Sequence, residues 1–226
     1  MQDENRLSYS AYMAEFDRHV AGYIPPRREW TAADEVIFGQ QDLFCLAPDL
    51  AERMQFRAIR DAFDRHYNLN ATYRRYCAEQ GVKPDDLRGP DDLCKIPLLP
   101  DSFFKAYPEG RDFALWLGNI FTGDLPHITV RGQTPSFEEV VGAFNAAGLV
   151  VSYSSGTGGR HTVIPRDART YRTSQYAIAK SALSMVYPEW EYGLSGYLLM
   201  PDPRKTSVYA GKVCGIYFDA IEDVRT

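Results

Sequence analysis

Seven consecutive residues concentrate hydroxyls, glycines and one permanent cation: Ser154-Ser155-Gly156-Thr157-Gly158-Gly159-Arg160. Glycines let a backbone bend so that several N–H groups converge on one anion. The hydroxyls of Ser154, Ser155 and Thr157 add donors to such a cradle. Arg160 adds a charge that does not titrate and a fork able to grip two oxygens at once. This donor set suits the outer phosphates of ATP leaving together as pyrophosphate. The spacing is neither GxxxxGK[ST] nor GxGxxG, and the run leads into a strand pattern rather than a helix. The same residue types also build hairpin turns. Residue types alone therefore leave a phosphate cradle and a plain turn both open.

Other chemistry-bearing residues have structural readings. His161, next to Arg160, reads as a partly exposed loop histidine or a phosphate contact. Tyr171, Tyr176, Tyr187, Tyr192 and Trp190 read as core aromatics or as the lining of an acyl tunnel. Lys105 reads as a solvated lysine beside Phe103 and Phe104, or as a substrate contact. The pairs Asp85-Asp86 and Asp91-Asp92 read as turn and cap residues. Cys45, Cys77, Cys94 and Cys214, and His19, His66, His127 and His161, are too scattered for a zinc-ligand pattern, so no metal site is expected.

The elements that must position these residues follow from periodicity and punctuation. Thr31-Ala32-Ala33-Asp34 opens a helix with a capping pattern. Met54, Phe56, Ile59, Ala62, Phe63 and Tyr67 recur at helical spacing through 49–67, and a further helix ends at Gly81. Five prolines and two glycines between Gly81 and Pro108 forbid long elements there. Residues 111–121 read as buried strand or short helix. Ser136-Phe137-Glu138-Glu139 opens a helix ending at Gly148. Leu149–Tyr153 and Thr162–Pro165 read as strands flanking the glycine run. A long helix follows Asp167 and ends before Pro188. Gly196–Met200 and Val213–Ala220 read as further strands. This order is α/β: a helical N-terminal half followed by a mixed sheet flanked by helices. The chain reads as a single domain, 1–226, with 1–110 mostly helical, 111–226 strand and helix, and the phosphate loop at 153–162.

Bulk properties bound the function. The 226 residues carry a net charge of −5, with 45% hydrophobic and 24% charged residues, so the expected partners do not include nucleic acid. The polar start lacks a signal-peptide core, and no stretch reads as a membrane span. A cytoplasmic protein is expected.

The glycine run resembles the SSGTTGK-type signature of the adenylate-forming enzymes. A second element, Ile96-Pro97-Leu98-Leu99-Pro100-Asp101-Ser102-Phe103-Phe104-Lys105, is similar to the IPxLPxSxFK element of the acyl-protein synthetases, also called long-chain-fatty-acid–luciferin-component ligases. Phenylacetate–CoA ligases lie a step further off. The likeness runs from about Asp42 to about Pro203. It implies the N-terminal part of an adenylate-forming fold, and an ATP-dependent ligase that turns a fatty or other carboxylic acid into an acyl-adenylate. The acyl group then passes to a protein thiol or CoA. It implies ATP and Mg²⁺ as cofactors, with Ser154, Ser155, Gly156, Thr157, Gly158, Gly159 and Arg160 on the ATP phosphates; no catalytic residue is assigned. Gly158 replaces a threonine of the family pattern and Arg160 a lysine. The later family motifs are not found after Ala220, and Thr122-Gly123-Asp124 lies in the wrong order to replace one. The expectation is a front portion of such an enzyme. The alternative is a non-catalytic nucleotide-binding or interaction domain built on the same fold. An exposed apolar face where further chain would dock would drive oligomer formation.

Overall fold

A computed structural model describes residues 7–156, 159–200 and 202–225. The glycine-run residues Thr157 and Gly158 lie outside them. The described chain is α/β, with helices predominating over short strands. It divides into two compact units: Met1–Leu46 with Arg169–Thr226, and Ala47–Ala168.

The second unit contains α3 (Pro48–Leu69), α4 (Ala71–Glu79), α5 (Gly110–Ile120), α6 (Phe137–Ala146) and the antiparallel strands β1 (Leu149–Tyr153) and β2 (Val163–Asp167). Asn70 accepts the Tyr73 N–H and caps α4, and Gly81 sits at φ 68° just beyond its end. The proline-rich stretch folds as three 3₁₀ turns, 84–86, 90–95 and 101–105, because each proline blocks a longer helix. The acid pairs do turn work there. Asp86 accepts from the Lys83 N–H, and Asp92 from the N–H groups of Arg88 and Gly89. Residues 110–120 resolve as helix α5, which buries Phe113 and Leu117. Ser136 and Glu139 form the capping box of α6, and Gly148 turns the chain into β1 at φ 92°.

Register fixes the glycine run. Leu149 pairs with Asp167 and Tyr153 with Val163, so 154–162 closes the hairpin. Alternation along β1 and β2 buries Leu149, Val151 and Val163 in a core with Phe113, Leu117, Val140 and Phe144. A smaller cluster, Phe63, Cys77 and Leu87, joins α3 and α4 to the first 3₁₀ turn.

The first unit contains α1 (Tyr9–His19), α2 (Ala32–Ile37), most of α7 (Ala168–Val186), the two-residue strand β3 (Gly196–Tyr197), α8 (Tyr209–Val213), α9 (Tyr217–Ala220) and β4 (Val224–Arg225), which pairs parallel with β3. Thr31 and Asp34 form the capping box of α2. Its core joins Tyr12, Met13 and Phe16 of α1 to Tyr176, Ala179 and Leu183 of α7, with Tyr192, Ile216, Ala220 and Ile221. Tyr176 and Tyr192 are thus core residues, and Tyr187 and Trp190 pack against that core.

One expected strand is corrected. Val213–Ala220 is helical, running from the end of α8 through a 3₁₀ turn into α9. An apolar run this short has no period long enough to separate strand from helix, and Val213, Cys214, Ile216 and Ala220 are buried at helical spacing. The strand expected over Gly196–Met200 is confined to Gly196–Tyr197. No helix among the described residues is long and apolar enough to cross a membrane.

Candidate functional site

The hairpin loop is built on bonds between its own ends. The Ser154 N–H donates to the Thr162 carbonyl at 3.0 Å, and the Thr162 N–H returns to Ser154 Oγ at 2.9 Å. His161 Nδ1 lies 2.6 Å from the Ser154 carbonyl, which can only accept, so Nδ1 carries the proton. At the tip, the Gly159 N–H donates to the Gly156 carbonyl at 2.9 Å. Both glycines lie in the left-handed region, Gly156 at φ 73° and Gly159 at φ 111°. A Cβ on Gly156 would stand 2.6 Å from the His161 ring, so glycine is required there twice over.

The loop rests on aromatic rings. His161 lies 4.8 Å from Tyr153, Tyr153 lies 5.3 Å from Phe137, and Phe137 stacks on Phe113 at 5.1 Å and 13°. That column ends in the buried core, since Phe113 is 2% exposed. The loop base is thereby tied to the buried core of the unit, while Ser154, Ser155, Gly159 and Arg160 stay exposed.

One bond brings the second sequence element to the loop, and a second contact joins the loop to Tyr107 just beyond it. The Thr162 hydroxyl donates to Asp101 Oδ1 at 3.1 Å, and Lys105 Nζ pairs with the other Asp101 oxygen at 2.6 Å. The Lys105 ammonium first, and the Thr162 hydroxyl second, hold the Asp101 carboxyl below its ordinary range. Arg160 donates to the Tyr107 carbonyl at 2.6 Å, and its guanidinium lies 4.2 Å above the Tyr107 ring. The Asp101–Lys105 turn and the glycine run, 61 residues apart at the Asp101–Thr162 bond, are therefore one cluster of groups.

Of the sequence-derived site residues, Ser154, Ser155, Gly156, Gly159 and Arg160 share this loop. Arg160 is turned onto Tyr107 rather than onto its own loop's backbone. Asp101, Tyr107 and Thr162 were not among the candidates. No spacing rule could have found them, because the link is tertiary. The one local signal is that Asp101 lies inside the Ile96–Lys105 element.

Chemically, the cluster offers hydroxyls, a guanidinium and an ammonium around an exposed tip, with Asp101 as the carboxylate bonded to it. That set fits a polyphosphate. Asp101 has one oxygen on the Thr162 hydroxyl and the other on the Lys105 ammonium, so Mg²⁺ held by one carboxylate and substrate phosphates would have to share it with those groups.

Comparison with known proteins adds sequence identity to this geometry. Residues 27–110 match the family model described as "Acyl-protein synthetase, LuxE". The long-chain-fatty-acid–luciferin-component ligase of Photorhabdus luminescens is 37% identical over 82 residues, covering 35% of this chain and 66% of that protein. The match thus spans just under two thirds of that relative's length. No solved structure matches the chain. The family stretch contains Asp101, Lys105 and Tyr107 and stops at Gly110, before the glycine run.

Proposed function

We propose, from the premise that residues 27–110 carry acyl-protein synthetase sequence, that the protein is an ATP-dependent acyl-activating ligase whose phosphate-handling loop is 154–162. A carboxylate oxygen of a fatty acid bonds to the α-phosphorus of ATP as the bond to the departing pyrophosphate breaks. The acyl-adenylate then loses AMP to a thiolate, of a protein cysteine or CoA, giving a thioester. The loop's part is electrostatic: Ser154, Ser155 and Thr157 donate to phosphate oxygens, and Arg160 meets the charge that develops on pyrophosphate. Bound Mg²⁺ would share that charge, with Asp101 as the carboxylate beside the loop. The supporting observation is the Thr162–Asp101–Lys105 chain, which joins the glycine run to residues inside the family-matched stretch.

The test is ATP–pyrophosphate exchange with a panel of straight-chain fatty acids. Wild type should exchange above background, and Thr157→Ala and Arg160→Ala should each lose about a hundredfold. Equal background in all three would overturn the reading.

A second reading, a non-catalytic nucleotide-binding or interaction domain, is favoured by one observation: Arg160 is already engaged by the Tyr107 carbonyl and ring. Binding of an acyl-adenylate analogue with no exchange would select it.

A further inference from the structure

The first unit holds a half-open cavity of about 250 Å³ lined by Tyr12, Tyr187, Trp190 and Tyr192, with Glu15, Glu191, Leu7, Pro188 and Gly193. Its four rings form a box. Tyr12 lies 5.1 Å from Tyr187, 5.0 Å from Tyr192 and 6.4 Å from Trp190 at 79°, and Trp190 meets Tyr192 at 5.1 Å and 74°. Tyr12 and Tyr192 are 2% and 8% exposed, so the open ring surface belongs mostly to the half-buried Tyr187 and Trp190.

What the box offers a ligand is narrow. The Tyr12 hydroxyl donates to the Leu183 carbonyl, that of Tyr187 to the Leu7 carbonyl and that of Tyr192 to the Tyr12 carbonyl. All three phenol protons are therefore spent on backbone. Among the described residues, the lining holds no lysine or arginine. Glu15 is already paired with Arg18 and His19. Glu191 is exposed and, among the described residues, pairs with no cation. Ring faces carry negative quadrupole charge, and a lone carboxylate on the rim adds to it. An anionic head, such as a fatty acid carboxylate, is disfavoured here.

We propose that this box binds the head of a small alkylated ammonium ion, seated against the rings with its charge toward Glu191. The cation's methyl groups match the apolar ring faces, and its charge is met by the Glu191 carboxylate rather than by the phenol hydroxyls, which are already committed. The source is either a free choline-like amine or a choline lipid head group.

The test is calorimetric titration of the full chain with choline and with its neutral isostere 3,3-dimethylbutan-1-ol. Choline should bind about tenfold more tightly than the isostere. Glu191→Gln, on an exposed side chain that carries no fold contact, should erase most of that preference. Trp190→Leu should weaken choline itself. Retention on phosphatidylcholine vesicles that choline displaces assigns the lipid source; no retention assigns the free amine. Equal binding of the two ligands, or no choline binding by a folded wild type, overturns the proposal.

Discussion

The two units treat their polar groups in opposite ways. In the first, three polar side chains are buried and spent on structure. Lys180, 2% exposed, donates to the Ile37 carbonyl at 2.8 Å and to that of Gln40, Tyr176 donates to Asp17, and Arg169 pairs with the nearly buried Asp34 at 2.6 Å. In the second, the polar groups of 154–162 crowd an exposed tip and are braced from beneath by rings. Buried and matched groups hold a fold; exposed groups on a rigid base can meet a ligand. Charge alone does not say which unit does chemistry. Its setting does.

The largest expected effect sharpens this contrast. Lys180→Met should cost about 2–4 kcal/mol in urea denaturation, because two part-buried carbonyls lose the donor that the buried Lys180 supplies. Arg160→Ala removes an equal charge from the loop and should leave the denaturation midpoint nearly unchanged. A large stability loss from Arg160→Ala would break the comparison.

Next in size, Gly156→Ala should cost about 1–2 kcal/mol, through the left-handed backbone and the clash with His161. Gly156→Ala with His161→Ala should recover the steric part and leave the backbone part. Identical losses in single and double variants would show that the ring does not limit the loop.

pH sharpens the first unit further. Burial lowers the Lys180 pKa from its ordinary 10.5, partly opposed by the Asp17 carboxylate. The unfolded chain then binds the proton better, so stability rises with pH toward 10.5. Burial pushes Tyr12 up to about 12 and raises Tyr176 and Tyr192 further still. Their contribution is whole below pH 10 and falls above it. Stability should therefore climb through the alkaline range and then turn down. Lys180→Met should flatten the climb and keep the fall. A climb that survives Lys180→Met would remove Lys180 as its cause.

The smallest effect is chemical. Cys45 and Cys94 are exposed, and Cys77 and Cys214 are buried with thiols pushed up by burial. A thiol reagent should label two cysteines quickly in the folded protein and all four in denaturant. Four fast thiols would mean a looser core.

Local features of the fold were legible in sequence because their causes are local. The capping boxes at Thr31 and Ser136, the glycine turns at Gly81 and Gly148, and the hairpin strands around 154–162 each rest on residues within a few positions. The helix at 110–120 and the helical 213–220 were not legible, because short apolar runs fit either period until packing chooses. The loop's residue types were visible, but its anchoring was not. Asp101 with Thr162, and Tyr107 with Arg160, are brought together by the β1–β2 register and the 3₁₀ turn at 101–105. No pattern within either segment encodes that pairing.

The most direct measurement is a titration of the full chain with inorganic pyrophosphate, followed through the backbone amide resonances of Gly156 and Gly159. Saturable shifts at both glycines that Arg160→Ala abolishes are expected. Shifts absent from the loop, or unchanged in Arg160→Ala, would contradict a phosphate-binding role for 154–162.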